Sequence, residues 1–125
     1  MRELRDLKFD EKGLIPAIIQ DMKTGKVLTL CYMTEEALAK TLKEAKVYVF
    51  RRSRNRLMIK GETSGHIQTV REVFVDCEGK SLLFKVEQKV GACHKGYFTC
   101  YYRRLDKDGG YVISEEKVFN PEKVY

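Results

Sequence analysis

Short runs of β-branched and aromatic residues, each closed by a glycine-bearing turn, recur along this 125-residue chain and leave room for one long helix. Residues 14–21 (LIPAIIQD) and 27–32 (VLTLCY) flank the turn Met22-Lys23-Thr24-Gly25 and read as a hairpin. Residues 47–51 (VYVFR) and 57–60 (LMIK) form a second strand pair around an arginine-rich turn. Residues 67–76 and 81–88 form a third, joined by Cys77-Glu78-Gly79-Lys80, where glycine suits a positive φ. An aromatic strand is expected over residues 97–104, and one more after the Asp108-Gly109-Gly110 turn. Thr34 can cap a helix, Glu35 and Glu36 favour its first turn, and Leu38, Leu42 and Ala45 recur at helical spacing. The pattern predicts a mainly β fold of the β-rich α+β kind. Its sheet is expected to be antiparallel and strongly bent or barrel-like, with one main helix near residues 34–46.

One domain is expected over residues 1–125, with its motifs in 13–104 and a polar C-terminal tail over 105–125. Hydrophobic residues make up 43% and charged residues 34%, a balance that excludes a disordered chain. No apolar run reaches the roughly 20 residues of a membrane span, and the charged N-terminus lacks a signal peptide's apolar core. A cytoplasmic protein without a membrane partner is therefore expected. In that reducing setting the four cysteines suit metal binding, nucleophilic chemistry or packing better than a disulfide frame. The net charge of +6 favours an anionic partner such as a phosphorylated metabolite.

Three cysteines crowd the stretch 76–100. Fifteen residues separate Cys77 from Cys93 and six separate Cys93 from Cys100, so no Cys-x-x-Cys knuckle exists and a zinc finger is excluded. Three thiolates would leave a fourth tetrahedral position open, which is the pattern of a catalytic zinc; three packed thiols without metal are the plainer alternative. The only histidines, His66 and His94, fall in glycine-flanked loops. Each is a candidate general base, and His94 is also a candidate fourth ligand. Residues 60–65 (KGETSG) have the makings of an anion cradle, reinforced by Arg51, Arg54 and Arg71. Asp76 and Glu78 bracket Cys77 and offer hard oxygen ligands for Mg²⁺, although both are ordinary turn residues.

Taken together, the blocks GLIPAIIQD, CYMTEEAL, SRNRLMIKGETSGHIQTVREVFVDCEG, LLFKVEQ and GACHKGYFTCYYR resemble, in this order, the phosphoribosyl-AMP cyclohydrolases of histidine biosynthesis. The resemblance covers residues 13–104. It implies hydrolysis of the N1–C6 bond of the adenine ring of 1-(5-phosphoribosyl)-AMP by a zinc-activated water. It also implies an intertwined homodimer with active sites at the subunit interface, where Cys77 of one subunit joins Cys93 and Cys100 of the other around Zn²⁺. His94, with His66 second, is expected to move the proton; Arg51, Arg54, Lys60, Glu62, Thr63 and Ser64 are expected to bind substrate. No second, pyrophosphohydrolase domain is expected. The family's Asp-Cys-Asp-x-Asp motif carries three carboxylates for magnesium, whereas here it reads Asp76-Cys77-Glu78-Gly79-Lys80. A charged lysine cannot ligate a cation, so Mg²⁺ is expected to bind weakly through Asp76 and Glu78 or to be replaced by the Lys80 charge.

Rival readings remain, among them a structural zinc protein without catalysis whose site a fourth ligand such as His94 closes. A zinc hydrolase of this kind could act on another purine-like nucleotide. A basic β domain with interleaved tyrosines could instead stack RNA or single-stranded DNA. The last lacks any RNP-like pattern and leaves the cysteine spacing without purpose, so no nucleic-acid partner is expected. Nucleobase deaminases need His-x-Glu and Pro-Cys-x-x-Cys, and neither motif occurs.

Overall fold

The computed structural model describes residues 6–51, 56–59, 67–89, 91, 93 and 95–123, with backbone alone considered for 50, 51 and 56–59. Eight strands and one α-helix are present among them: β1 (Ile15–Asp21), β2 (Val27–Met33), α1 (Glu35–Glu44), β3 (Tyr48–Arg51), β4 (Arg56–Ile59), β5 (Gln68–Val75), β6 (Leu82–Gln88), β7 (Arg103–Leu105) and β8 (Tyr111–Ile113). The mainly β reading with a single helix is correct. The expected hairpins β1–β2, β3–β4 and β5–β6 all form, and each is antiparallel.

Two expectations fail. The main sheet is mixed, in the order β2-β1-β6-β5, because β1 and β6 run parallel at its centre; no closed barrel forms among the described residues. Local turns fix the antiparallel pairs, but the parallel pair joins strands about 65 residues apart, beyond the reach of any turn signal. The second failure is the aromatic strand over residues 97–104. Only residues 103–105 are extended in a ladder, and Tyr97 makes one isolated bridge to Lys117. Residues 98–102 instead cross the start of β2, where the Cys100 N–H donates to the Leu28 carbonyl at 2.7 Å.

Alternation along β1 and β6 sends Ile15, Ala17, Ile19, Leu82, Phe84 and Val86 to one face, where all are buried. Helix α1 belongs to the same core, burying Ala37, Leu38 and Thr41. Cys31 lies half-buried against it, with its thiol donating to the Ala17 carbonyl at 3.6 Å, as a small packed side chain. The opposite face carries an apolar row running through all four strands. Register aligns Leu30 with Ile18, Ile18 with Leu83, and Leu83 with Phe74. Leu30, Ile18 and Phe74 are 45%, 37% and 44% exposed.

Residues 103–123 add further structure. β7 and β8 form a hairpin, Lys26 and Glu115 pair at 2.8 Å, and residues 117–119 return to the loop after β6. No helix among the described residues is long and apolar enough to cross a membrane.

The helix termini follow the sequence closely. The Thr34 hydroxyl accepts from the Ala37 N–H at 3.1 Å, and Ala45 closes the last turn with its N–H on the Thr41 carbonyl at 2.9 Å. Ala45 does this at φ +57°, a left-handed conformation that costs an L-residue about 1–2 kcal/mol. Glycine removes that strain while adding about 0.5–1 kcal/mol of unfolded-state entropy. Ala45→Gly is therefore expected to stabilise the protein by up to about 1 kcal/mol, read as a higher denaturant midpoint at unchanged slope.

Candidate active site

The sequence concentrates its soft ligands after β6, and the fold gathers two of them. Cys93 is buried and opens a tight turn: its N–H donates to the Tyr97 carbonyl at 3.1 Å, and the Cys93 carbonyl accepts from the Gly96 N–H at 3.0 Å. Glycine is required at both sides of this turn. A Cβ on Gly91 would stand 2.8 Å from the Tyr97 carbonyl oxygen, and one on Gly96, at φ +101°, would stand 2.7 Å from that of Phe119. Residues 117–119 thus back the cysteine turn closely, with the Val118 N–H on the Gly96 carbonyl at 2.8 Å.

Cys100 approaches from the other side. Thr99 is buried, and its hydroxyl meets the Val27 carbonyl at 2.7 Å and that of Leu28 at 3.2 Å, fixing the segment on the start of β2. A glutamine relay adds a second tether. Gln68 donates to the Gln88 side-chain oxygen at 2.8 Å, and Gln88 donates to the Phe98 carbonyl at 2.8 Å. Stacked rings of Tyr97 and Tyr102, 3.9 Å apart, close the far side. These supports escape sequence reading because the partners of Thr99 lie some 70 residues upstream. A buried threonine beside a ligand-type cysteine is the only hint the sequence offers.

Burial pushes the Cys93 thiol pKa up, and the adjacent Cys100 thiol pushes it the same way, against the Lys95 N–H that points at its sulfur from 3.4 Å. A buried thiol with a second thiol beside it suits a soft cation, which neutralises both when it displaces their protons. They make half of a tetrahedral zinc set.

Cys77 is not with them. It is exposed in the turn between β5 and β6, before the first residue of β6, whereas Cys93 and Cys100 lie beyond its last. Seven residues of strand at about 3.3 Å each put on the order of 20 Å between the two ends. Among the described residues no three His, Cys, Asp or Glu side chains converge on one point. Asp76, beside Cys77, is committed to the turn: Oδ1 accepts from the Glu78 and Lys80 N–H groups at 3.1 and 2.8 Å, and Oδ2 from the Ser81 hydroxyl at 2.7 Å. The Ser81 bond, followed by the Lys80 N–H, lowers the Asp76 pKa. Glu78 pairs with the Lys80 ammonium at 3.0 Å.

Other candidates fall elsewhere. His66, His94, Arg54, Lys60, Glu62, Thr63 and Ser64 lie outside the described residues, as does the Arg51 side chain; the Arg51 backbone ends β3 opposite Arg56. Arg71 is the extra residue of a bulge in β5 and pairs with Glu87 at 3.1 Å, an engagement that lowers the Glu87 pKa. It is an exposed cross-strand pair, separate from the cysteine turn.

The Cys77 turn is held from outside by the N-terminal segment. The Lys8 N–H donates to the Gly79 carbonyl at 2.7 Å, and a Cβ on Gly79, at φ +71°, would stand 2.5 Å from the Asp6 carbonyl oxygen. Gly79→Ala must both strain the backbone and displace that segment. An expected loss of about 2 kcal/mol in unfolding free energy is checked by urea denaturation, and an unchanged midpoint would contradict this packing.

Comparison with known proteins identifies the family. Residues 29–102, which include all four cysteines, match the phosphoribosyl-AMP cyclohydrolase family, PRA-CH. The phosphoribosyl-AMP cyclohydrolase of Chlorobium phaeovibrioides is 49% identical over 122 residues, 98% of this chain and 89% of that protein. That of Pelotomaculum thermopropionicum is 50% identical over 123 residues, 98% of this chain and 95% of that protein. The chain belongs to the phosphoribosyl-AMP cyclohydrolase family.

Proposed function

We propose that this protein is a zinc-dependent phosphoribosyl-AMP cyclohydrolase that opens the adenine ring of 1-(5-phosphoribosyl)-AMP at N1–C6 in histidine biosynthesis. The observation that carries the reading is the Cys93–Cys100 thiol pair, built by a fold whose sequence is about half identical to named cyclohydrolases over nearly its whole length. Cys93, Cys100 and a Cys77 would hold the metal. Zinc bound there supplies the Lewis acidity that makes a water nucleophilic near neutral pH.

The chain's own groups do the remainder. N1 substitution leaves the adenine ring cationic, so C6 is electrophilic and N1 is a competent leaving group. His94, next in sequence to Cys93, takes the proton from the attacking water and returns one to N1, with His66 as the second candidate. Arg51, Arg54, Lys60, Glu62, Thr63 and Ser64 bind the doubly phosphorylated substrate, in keeping with the net charge of +6. Turnover of phosphoribosyl-AMP, followed by the absorbance change on ring opening, tests this. Chelator, and Cys93→Ala, are each expected to lower kcat by on the order of a hundredfold or more. Full activity of Cys93→Ala would exclude the metal role, and no turnover under any metal regime would exclude the reaction.

The protein acts as a homodimer in this reading. Cys77 and the Cys93–Cys100 pair sit at opposite ends of β6, so a three-thiolate site needs a second chain. The exposed row Leu30–Ile18–Leu83–Phe74 is apolar surface that such a chain could cover. Mixing inactive Cys77→Ser with inactive Cys93→Ser protein tests it. Random subunit exchange leaves half the dimers mixed, each with one intact site, so about a quarter of wild-type activity should return. No recovery after demonstrated exchange would place all three ligands within one chain.

A further inference from the structure

We propose that the turn at residues 76–81 takes no divalent cation and that the Lys80 ammonium occupies the place such an ion would fill. The inference concerns the turn alone and is independent of the reaction assigned above.

Acceptor capacity is the first obstacle to a bound ion. A carboxylate has about four lone-pair sites, and Asp76 has three of them filled by the Glu78 N–H, the Lys80 N–H and the Ser81 hydroxyl. Two of those three bonds satisfy backbone donors that shape the turn. Swinging Asp76 towards a cation would release them and loosen the loop that carries Cys77. Glu78 is the remaining carboxylate, and its Oε2 already faces the Lys80 ammonium at 3.0 Å.

Charge decides the matter more firmly than that ion pair does. The two side chains are 63% and 60% exposed, so their mutual attraction is weak and screened. A divalent ion, however, meets the summed charge of the turn. Asp76, Glu78 and Lys80 together carry −1, where three carboxylates would carry −3. An ammonium on the same short turn also repels the ion directly, and magnesium, which surrenders its hydration reluctantly, gains little from the one carboxylate left to meet it. Lys80 contributes its backbone N–H to Asp76 whatever its side chain is, so substitution there changes the charge without dismantling the turn.

The test uses zinc-loaded protein and Mn²⁺ as the probe, with free Mn²⁺ counted by electron paramagnetic resonance and no nucleotide present. The readout is Glu78-dependent binding: the difference between each protein and the same protein carrying Glu78→Gln. Wild type is expected to show none at millimolar Mn²⁺. Lys80→Asp is expected to gain one site per chain, tighter by roughly tenfold or more, with Lys80→Gln in between. Glu78-dependent binding by wild type would overturn the proposal. So would a Lys80→Asp variant that binds no better than wild type, because the lysine would then not be what keeps the ion out.

Discussion

The parallel pairing of β1 with β6 is the constraint on which the rest of the molecule depends. It sets two core strands side by side, lets Ile15, Ala17 and Ile19 bury against Leu82, Phe84 and Val86, and gives the sheet its mixed order. It also decides what each end of the sheet can carry. The residues that enter β6 come from the Cys77 turn, and those that leave it lead into the Cys93 turn, so one strand separates Cys77 from the Cys93–Cys100 pair. Each end then draws its supports from a different part of the chain. The start of β2 receives Thr99 and Cys100, and the N-terminal segment receives Gly79.

Polar burial near the cysteines follows the same economy. Gln68 is fully buried, and its amide nitrogen is satisfied by Gln88, yet its side-chain oxygen meets no partner among the described residues. An orphan acceptor of this kind costs on the order of 1–3 kcal/mol unless something outside the chain serves it. It lies in the relay that reaches Phe98, two residues before Cys100. The thiol pair therefore rests on packing and directed hydrogen bonds instead of on charge.

Local chemistry was legible in the sequence and distant pairing was not. Thr34, Glu35, Glu36 and Lys43 announce the helix, and the cap observed at Thr34 is the one its hydroxyl suggests. Gly25 and Gly79 mark turns, and both hold positive φ. The family, and with it the candidate ligands, could be read from motif blocks because their residues are contiguous. The aromatic run from Tyr97 misled because Tyr and Phe fit a strand equally well as a packed irregular segment, and only the carbonyls of Val27 and Leu28 decide between them. Likewise, nothing local to Cys77 tells that it faces away from Cys93.

The bulge in β5 has a consequence for how this chain can vary in length. Val70 opposes Val86 and Glu72 opposes Lys85, so Arg71 is the one residue of that strand without a ladder partner. Because side chains alternate faces, removing a paired residue away from the bulge would turn part of the strand inside out. Removing Arg71 would leave Val70 and Val73 directed towards the core as they are now. Relatives one residue shorter can therefore arise at this point without exchanging core for surface, and the strand's tolerance of insertion and deletion is confined to that single step.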